Sequence, residues 1–212
     1  MKYIALLAGA LLLSCQTKGN NKTATQSEEQ QALDLQNLDT ATFAGGCFWC
    51  VEASFEQIQG VAEAVSGYAG GKKATADYRL VSSGRTSHAE AVQVYYGQSV
   101  IDYETMLDIL FTAHAPTTLN RQGPDVGPQY RSEIFYHDEE QRKLAEAKME
   151  EWAPEFSNPI VTGLSKLDAF YVAEDYHQDY ERKHPNNGYI VNVSRPKIEK
   201  VAKKFKDRLK SN

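Results

Sequence analysis

The sequence predicts an α+β domain, a ferredoxin-like two-layer sandwich built on a split β-α-β core with C-terminal additions. Three observations predict it. Short apolar runs suited to strands alternate with stretches at helical spacing, and the first six run in the order β-α-β-β-α-β. The composition, 42% hydrophobic and 24% charged over 212 residues, is that of one globular domain with a tail. No internal repeat or second boundary interrupts the chain beyond Asp39.

The elements follow in order. Thr40 to Ala44 reads as a short strand ended by Gly45-Gly46. Phe48, Val51, Phe55 and Ile58 recur at helical spacing, and Gly60 stops that helix. Val61 to Tyr68 is a strand closed by the Gly70-Gly71 turn, and Tyr78 to Ser82 is one helical turn. Ala89 to Tyr96 is apolar on both faces, as in a buried strand. Asp102 caps a helix from Tyr103 to Ala113 that turns Leu107, Leu110 and Phe111 inward and ends before Pro116. Ser132 to Tyr136 is a strand, and Asp138 caps a charged helix reaching Trp152. Ile160 to Leu164 reads as a further strand, with helices at Glu174 to Lys183 and Ile198 to Leu209. The two long core helices are expected on one face of a mainly antiparallel sheet.

The N-terminus has the features of an export signal. Lys2 precedes an unbroken apolar run of 11 residues, Tyr3 to Leu13, too short to span a bilayer, which needs roughly 20. It ends Leu12-Leu13-Ser14-Cys15, which resembles the bacterial lipoprotein box, so residues 1–14 are expected to be a signal peptide and Cys15 to be acylated. Residues 15–38 are polar and aperiodic and read as a lipid-anchored tether; residues 39–212 are expected to form the globular domain. The expected location is therefore a bacterial cell envelope, on the extracytoplasmic side of a membrane. A net charge of −5 offers no electrostatic footprint for nucleic acid.

The chemistry concentrates in Gly45-Gly46-Cys47-Phe48-Trp49-Cys50-Val51-Glu52, where a strand passes into a helix. A cysteine at a helix N-terminus faces unpaired N–H groups and a partial positive charge, which favour its thiolate, so Cys47 is the candidate nucleophile. Cys50 lies one turn on, about 5 Å away between Cα atoms, within disulfide range. Rival readings use the same residues. Cys47, Cys50 and His88 offer three zinc ligands, and His88-Ala89-Glu90 has the H-x-E of zinc deaminases, but its order relative to C-x-x-C is reversed. A thioredoxin-like dithiol would also use C-x-x-C. Haem attachment needs a histidine where Val51 stands, and a purely structural disulfide would close too small a loop to stabilise much.

Gly46-Cys47-Phe48-Trp49-Cys50-Val51-Glu52 strongly resembles the signature of A-type peptide methionine sulfoxide reductases. Gly67-Tyr68-Ala69-Gly70-Gly71, Tyr78-Arg79, Ser83 to Val92, Arg121 to Ser132 and Phe170 to Gln178 extend it in the family's order across roughly Thr42 to Tyr180. The resemblance implies a ferredoxin-like fold and a reductase acting on methionine-S-sulfoxide, free or in oxidised proteins. Cys47 would attack the sulfoxide sulfur, Glu90 would protonate its oxygen, and Tyr78 and Tyr130 would hydrogen-bond that oxygen. Phe48 and Trp49 would wall the methyl pocket, Asp125 would hold the substrate backbone, and Glu52 would support the site. A sulfenic acid on Cys47 would be resolved by Cys50, and a thioredoxin-like dithiol would regenerate the enzyme without metal or organic cofactor. Two departures stand out. Many members carry further cysteines near the C-terminus, where this chain has none after Cys50, and Ser87 stands where glycine is usual. A different class remains open here: a non-enzymatic envelope lipoprotein stabilised by zinc.

Overall fold

Strand β1 (Asp39–Gly45) runs through the middle of a six-stranded sheet. Every residue from Ala41 to Gly45 on it is buried, as expected of an apolar strand covered on both faces. The computed structural model describes residues 38–211. The expected signal peptide, the acylation site Cys15 and nearly all of the expected tether lie outside the described residues.

After β1 come α1 (Phe48–Glu56), β2 (Val61–Ala69), the short α2 (Tyr78–Val81), β3 (Ala89–Tyr96) and α3 (Tyr103–Ala113). A two-residue hairpin follows, β4 (Arg121–Gln122) and β5 (Asp125–Val126), then β6 (Ser132–Tyr136) and α4 (Glu139–Trp152). The C-terminal part holds β7 (Gly163–Lys166), β8 (Phe170–Val172), α5 (Tyr180–Lys183) and α6 (Arg195–Lys204).

The sheet order is β7-β6-β1-β3-β2-β8. Its four central strands pair antiparallel, β6 with β1, β1 with β3 and β3 with β2, the arrangement expected of a split β-α-β core. The additions lie at the edges: β7 pairs parallel with β6, and β8 antiparallel with β2. Helices α1 and α3 pack on the sheet, with α6 against both and α4 against α3. Phe43 stacks on Phe55 of α1 at 5.5 Å and on Tyr103 of α3 at 6.0 Å, so one β1 side chain ties both helices to the sheet. A separate cluster is made of Ala44, Ala69, Ala89, Ala91 and Phe135, closed over by Leu167 and Phe170.

Asp102 and Asp138 cap their helices as expected, accepting from the Thr105 and Gln141 amides. The C-terminal third corrects the sequence reading. The strand expected at Ile160 to Leu164 begins only at Gly163, because pairing with β6 sets its start: Gly163 lies opposite Glu133, with that side chain directly over it. The helix expected from Glu174 to Lys183 is two short turns, Asp175–His177 and α5. Between them Gln178 is extended and Asp179 is left-handed, with φ 54°. The Gln178 amide bridges the backbone N–H and C=O of Ser66, and Glu52 accepts the Asp179 N–H, so tertiary hydrogen bonds override helix propensity. The helix expected at Ile198 to Leu209 starts earlier, running on from a π-helical turn at Ile190–Ser194, and ends at Lys204. Strand β8 and the β4–β5 hairpin were not expected at all.

Candidate active site

The site is built where β1 ends. Gly46 has φ +95°, and a Cβ there would lie 2.6 Å from the Gln122 side chain, so only glycine fits the turn. Cys47 is the residue from which α1 starts, and its carbonyl accepts the Cys50 N–H at 3.1 Å. Both thiols are free and buried, 6% and 2% exposed. Helix geometry and the Gly-Gly turn therefore bring the two sulfurs together as the spacing predicts.

The expected thiolate at Cys47 is not what the surroundings produce. Burial, together with the neighbouring Cys50, pushes the Cys47 thiol well above its usual range, outweighing the helix N-terminus. The Cys47 thiol donates to Cys50, and that bond first of all brings Cys50 down to about 7. The dithiol is thus a proton-sharing pair whose charge sits by preference on Cys50 until something moves the proton. Cys50 also hydrogen-bonds Ser194 Oγ at 3.0 Å.

Glu90, on β3, is 2% exposed, and its Oε2 accepts the Phe48 backbone N–H at 3.1 Å. The carboxyl group thus rests on the residue that follows Cys47. Burial raises it to about 8 despite that hydrogen bond, so it is the neutral acid at pH 7. Tyr78 is pushed up to about 12, first by burial and then by the charges of Glu90 and Cys47; Tyr130 is raised for the same reasons. Both hydroxyls therefore stay protonated donors beside the acid and the sulfur. Asp125 reaches the site through Tyr189, whose hydroxyl donates to Asp125 Oδ2 at 2.5 Å and lies within hydrogen-bonding reach of both thiols.

Aromatic rings wall the space. Trp49 stacks flat on Tyr180, with ring centres 3.7 Å apart, meets Tyr189 edge-on at 5.9 Å and donates its indole N–H to His177 Nδ1 at 3.1 Å. Phe48 lies 4.9 Å from the His177 ring and 6.0 Å from Tyr68. Since His177 Nδ1 accepts and burial keeps the ring neutral, its proton is on Nε2. Glu174 accepts from the Tyr68 hydroxyl and the Tyr78 N–H, which fixes the turn carrying Tyr78.

Glu52 is placed differently from the other expected residues. It is 2% exposed, and its oxygens are taken by the Ser66 hydroxyl and the Asp179 N–H. Burial raises it to about 7. Its visible work is to hold the left-handed Asp179, the residue before the Tyr180 ring that covers Trp49. The zinc reading needs Cys47, Cys50 and His88 together. Among the described residues the trio of potential ligands brought together is instead Glu52, Glu56 and Asp179. His88 Nε2 pairs with the Lys72 carbonyl at 3.0 Å.

Sequence reasoning missed Tyr189, Ser194, His177 and Tyr180 as members of the site. The one hint was the count of 12 tyrosines, many for this length; Tyr78, Tyr130, Tyr180 and Tyr189 turn out to lie around the thiols and Trp49, and Tyr68 beside Phe48.

Residues 39–209 match the family described as peptide methionine sulfoxide reductase. The chain is 51% identical over 174 residues to peptide methionine sulfoxide reductase MsrA 1 of Rhodopirellula baltica, covering 82% of this chain and 91% of the relative. It is 52% identical over 174 residues to peptide methionine sulfoxide reductase MsrA of Natronomonas pharaonis, covering 81% and 98%. Among solved structures it resembles reduced Mxr1 of Saccharomyces cerevisiae, with a TM-score of 0.69 and 36% identity over 72% of this chain and 88% of that one. It also resembles methionine sulfoxide reductase A of Corynebacterium diphtheriae, with a TM-score of 0.67 and 33% identity over 70% and 76%.

Proposed function

This chain belongs to the peptide methionine sulfoxide reductase family and is an enzyme of that type, and from that premise we propose how its own residues carry the reaction and where it works. The observation that carries the reading is a buried neutral carboxyl group, Glu90, hydrogen-bonded to the backbone next to a buried dithiol.

A sulfoxide sulfur is a weak electrophile until its oxygen is protonated. The substrate methyl group sits against Phe48 and Trp49. Cys47 passes its proton to Cys50, to which it already donates, and its thiolate attacks the sulfoxide sulfur. Glu90 gives its proton to the sulfoxide oxygen, and the Tyr78 and Tyr130 hydroxyls hold that oxygen as charge develops on it. Methionine leaves and Cys47 carries a sulfenic acid: the substrate sulfur is reduced and the Cys47 sulfur oxidised. Asp125 and Tyr189 hold the substrate backbone at the rim. The handedness of methyl wall and acid favours the S epimer. Cys50 then closes a Cys47–Cys50 disulfide with loss of water, and an external thioredoxin-like dithiol reopens it. Glu52 acts at one remove, by fixing Asp179 and hence the Tyr180 ring on Trp49.

The test is Cys50→Ser. It should release one equivalent of methionine from methionine sulfoxide and then stall when a thioredoxin-type protein is the reductant. Wild-type multiple turnover in that variant would refute the resolving role. A thiol-disulfide exchanger would instead reduce insulin with no sulfoxide present, and a non-enzymatic lipoprotein would do neither.

Leu12-Leu13-Ser14-Cys15 supports a lipoprotein of the bacterial envelope that repairs oxidised proteins on the extracytoplasmic side. The mature N-terminus should be an acylated Cys15 by intact-mass measurement. A protein that keeps Met1, or carries an unmodified Cys15, would rule the anchor out.

A further inference from the structure

The geometry points to Lys197, acting with Ser194, as the positioning residue that makes Cys50 the attacking thiolate of the resolving step. This rests on the reading of Cys50 as the resolving thiol. It starts from a feature the first half of the reaction leaves unexplained. The Lys197 ammonium nitrogen is buried and has no hydrogen-bond partner. A cation out of water without a partner is costly unless a charge nearby offsets it. Lys197 lies three residues after Ser194 at the start of α6, so the two share a helix face. Ser194 is fully buried, and its Oγ is 3.0 Å from Cys50 Sγ. Helix α6 packs directly on α1, which carries Cys50. The lysine therefore belongs to the face that meets the second sulfur.

The charges around Cys50 agree. The Lys197 cation favours the Cys50 thiolate, and Ser194 Oγ, which accepts from the Cys50 thiol, can turn its hydroxyl to donate once that proton has gone. From the start of its own helix Cys50 faces Cys47, and Glu90 of β3 is close enough to feel its charge. Just past the end of α3, His114 also senses Lys197; burial holds it down to about 4, so it is neutral and adds no competing charge.

Once Cys47 is a sulfenic acid, it can no longer donate a thiol proton to Cys50. The support that Cys47 gave the Cys50 anion is gone at the moment Cys50 must attack. Ser194 and Lys197 remain. Cys50 loses its proton, its sulfur bonds to the Cys47 sulfur, and the Cys47 S–O bond breaks. Cys50 is oxidised and Cys47 reduced, and the proton Cys50 gave up ends on the departing hydroxide as water.

The experiment follows one turnover of the full chain with one equivalent of methionine sulfoxide across a pH series. Methionine release reports the first step, and mass spectrometry of the Cys47–Cys50 disulfide reports the second. Lys197→Met should move the pH midpoint of disulfide formation upward, and Lys197→Arg should restore it. At a pH below both midpoints, each unit by which the midpoint rises cuts the thiolate fraction about tenfold, and resolution slows by the same factor. Ser194→Ala should move it the same way by less. A Lys197→Met midpoint equal to wild type overturns the proposal. So does a slower but pH-independent change that Lys197→Arg fails to restore. Should Lys197→Met not fold, Ser194→Ala with an unshifted midpoint overturns it alone. If the wild-type disulfide does not join Cys47 to Cys50, the underlying reading of Cys50 fails, which this readout separates from a failure at Lys197.

Discussion

Cys47→Ser should lower kcat/KM by at least about 10³-fold with any reductant, while leaving the protein as stable as before or slightly more so. A serine hydroxyl keeps its proton at every pH the fold tolerates, and its oxygen is a poor nucleophile toward sulfur. The stability half of the prediction comes from where the residue sits. Cys47 begins α1 without any side-chain cap. Serine is among the best residues there, worth typically ~1 kcal/mol over a side chain that cannot accept. The smaller oxygen also fits a site already 94% buried by the neighbouring turn and rings, because the cysteine is only 6% exposed. Activity and the midpoint of thermal unfolding measured on one preparation separate the two effects. Residual turnover within tenfold of wild type would remove Cys47 from the nucleophile's place. Lost activity with a collapsed melting transition would mean only that the core was damaged.

The parts of this molecule that could be read along the chain are those whose causes are local. The four core strands and the helices α1, α3 and α4 came from periodicity and from Asp102 and Asp138, whose side chains cap the turns that follow them. Gly45-Gly46 marked the strand-to-helix turn, and the structure shows the reason in the positive φ of Gly46. What escaped is held by distant partners. Strand β8 is three residues long and exists because β2 has a free edge. The break at Asp179 is imposed by Glu52, 127 residues earlier, and the Cys50–Ser194 contact spans 144 positions. Nothing beside Tyr189 in Asn187-Gly188-Tyr189-Ile190 announces that its hydroxyl reaches the thiols. The direction of the Cys47 shift was misjudged for a related reason. Helix position is visible in a sequence, but the depth at which the folded chain buries the sulfur is not.

Glu90→Gln should cost about 10²- to 10⁴-fold in kcat/KM, the usual worth of a positioned general acid. Glutamine keeps the size of the side chain and an oxygen to accept the Phe48 N–H, so the geometry that now holds Glu90 at 3.1 Å survives. What it lacks is a proton to give. The pH profile follows from the same environment. Burial holds Glu90 protonated up to about 8. Wild-type methionine release in the first turnover should therefore fall as pH rises through about 8, and the small remaining rate of Glu90→Gln should show no such fall. Stability supplies an independent check with a definite sign. The unfolded chain gives up this proton in the ordinary carboxylate range, near 4.5, while the folded chain keeps it to about 8. Between those values folding takes up a proton, so this group makes the wild type less stable as pH rises across the window. Glu90→Gln should lose that part of the slope and gain on the wild type toward pH 8 in denaturant unfolding. A variant that stays within tenfold of wild-type activity, with an unchanged alkaline limb, would mean that the proton reaching the sulfoxide oxygen comes from elsewhere. The tyrosine hydroxyls of Tyr78 and Tyr130 would then be the donors to examine, since both are held protonated beside the same sulfur.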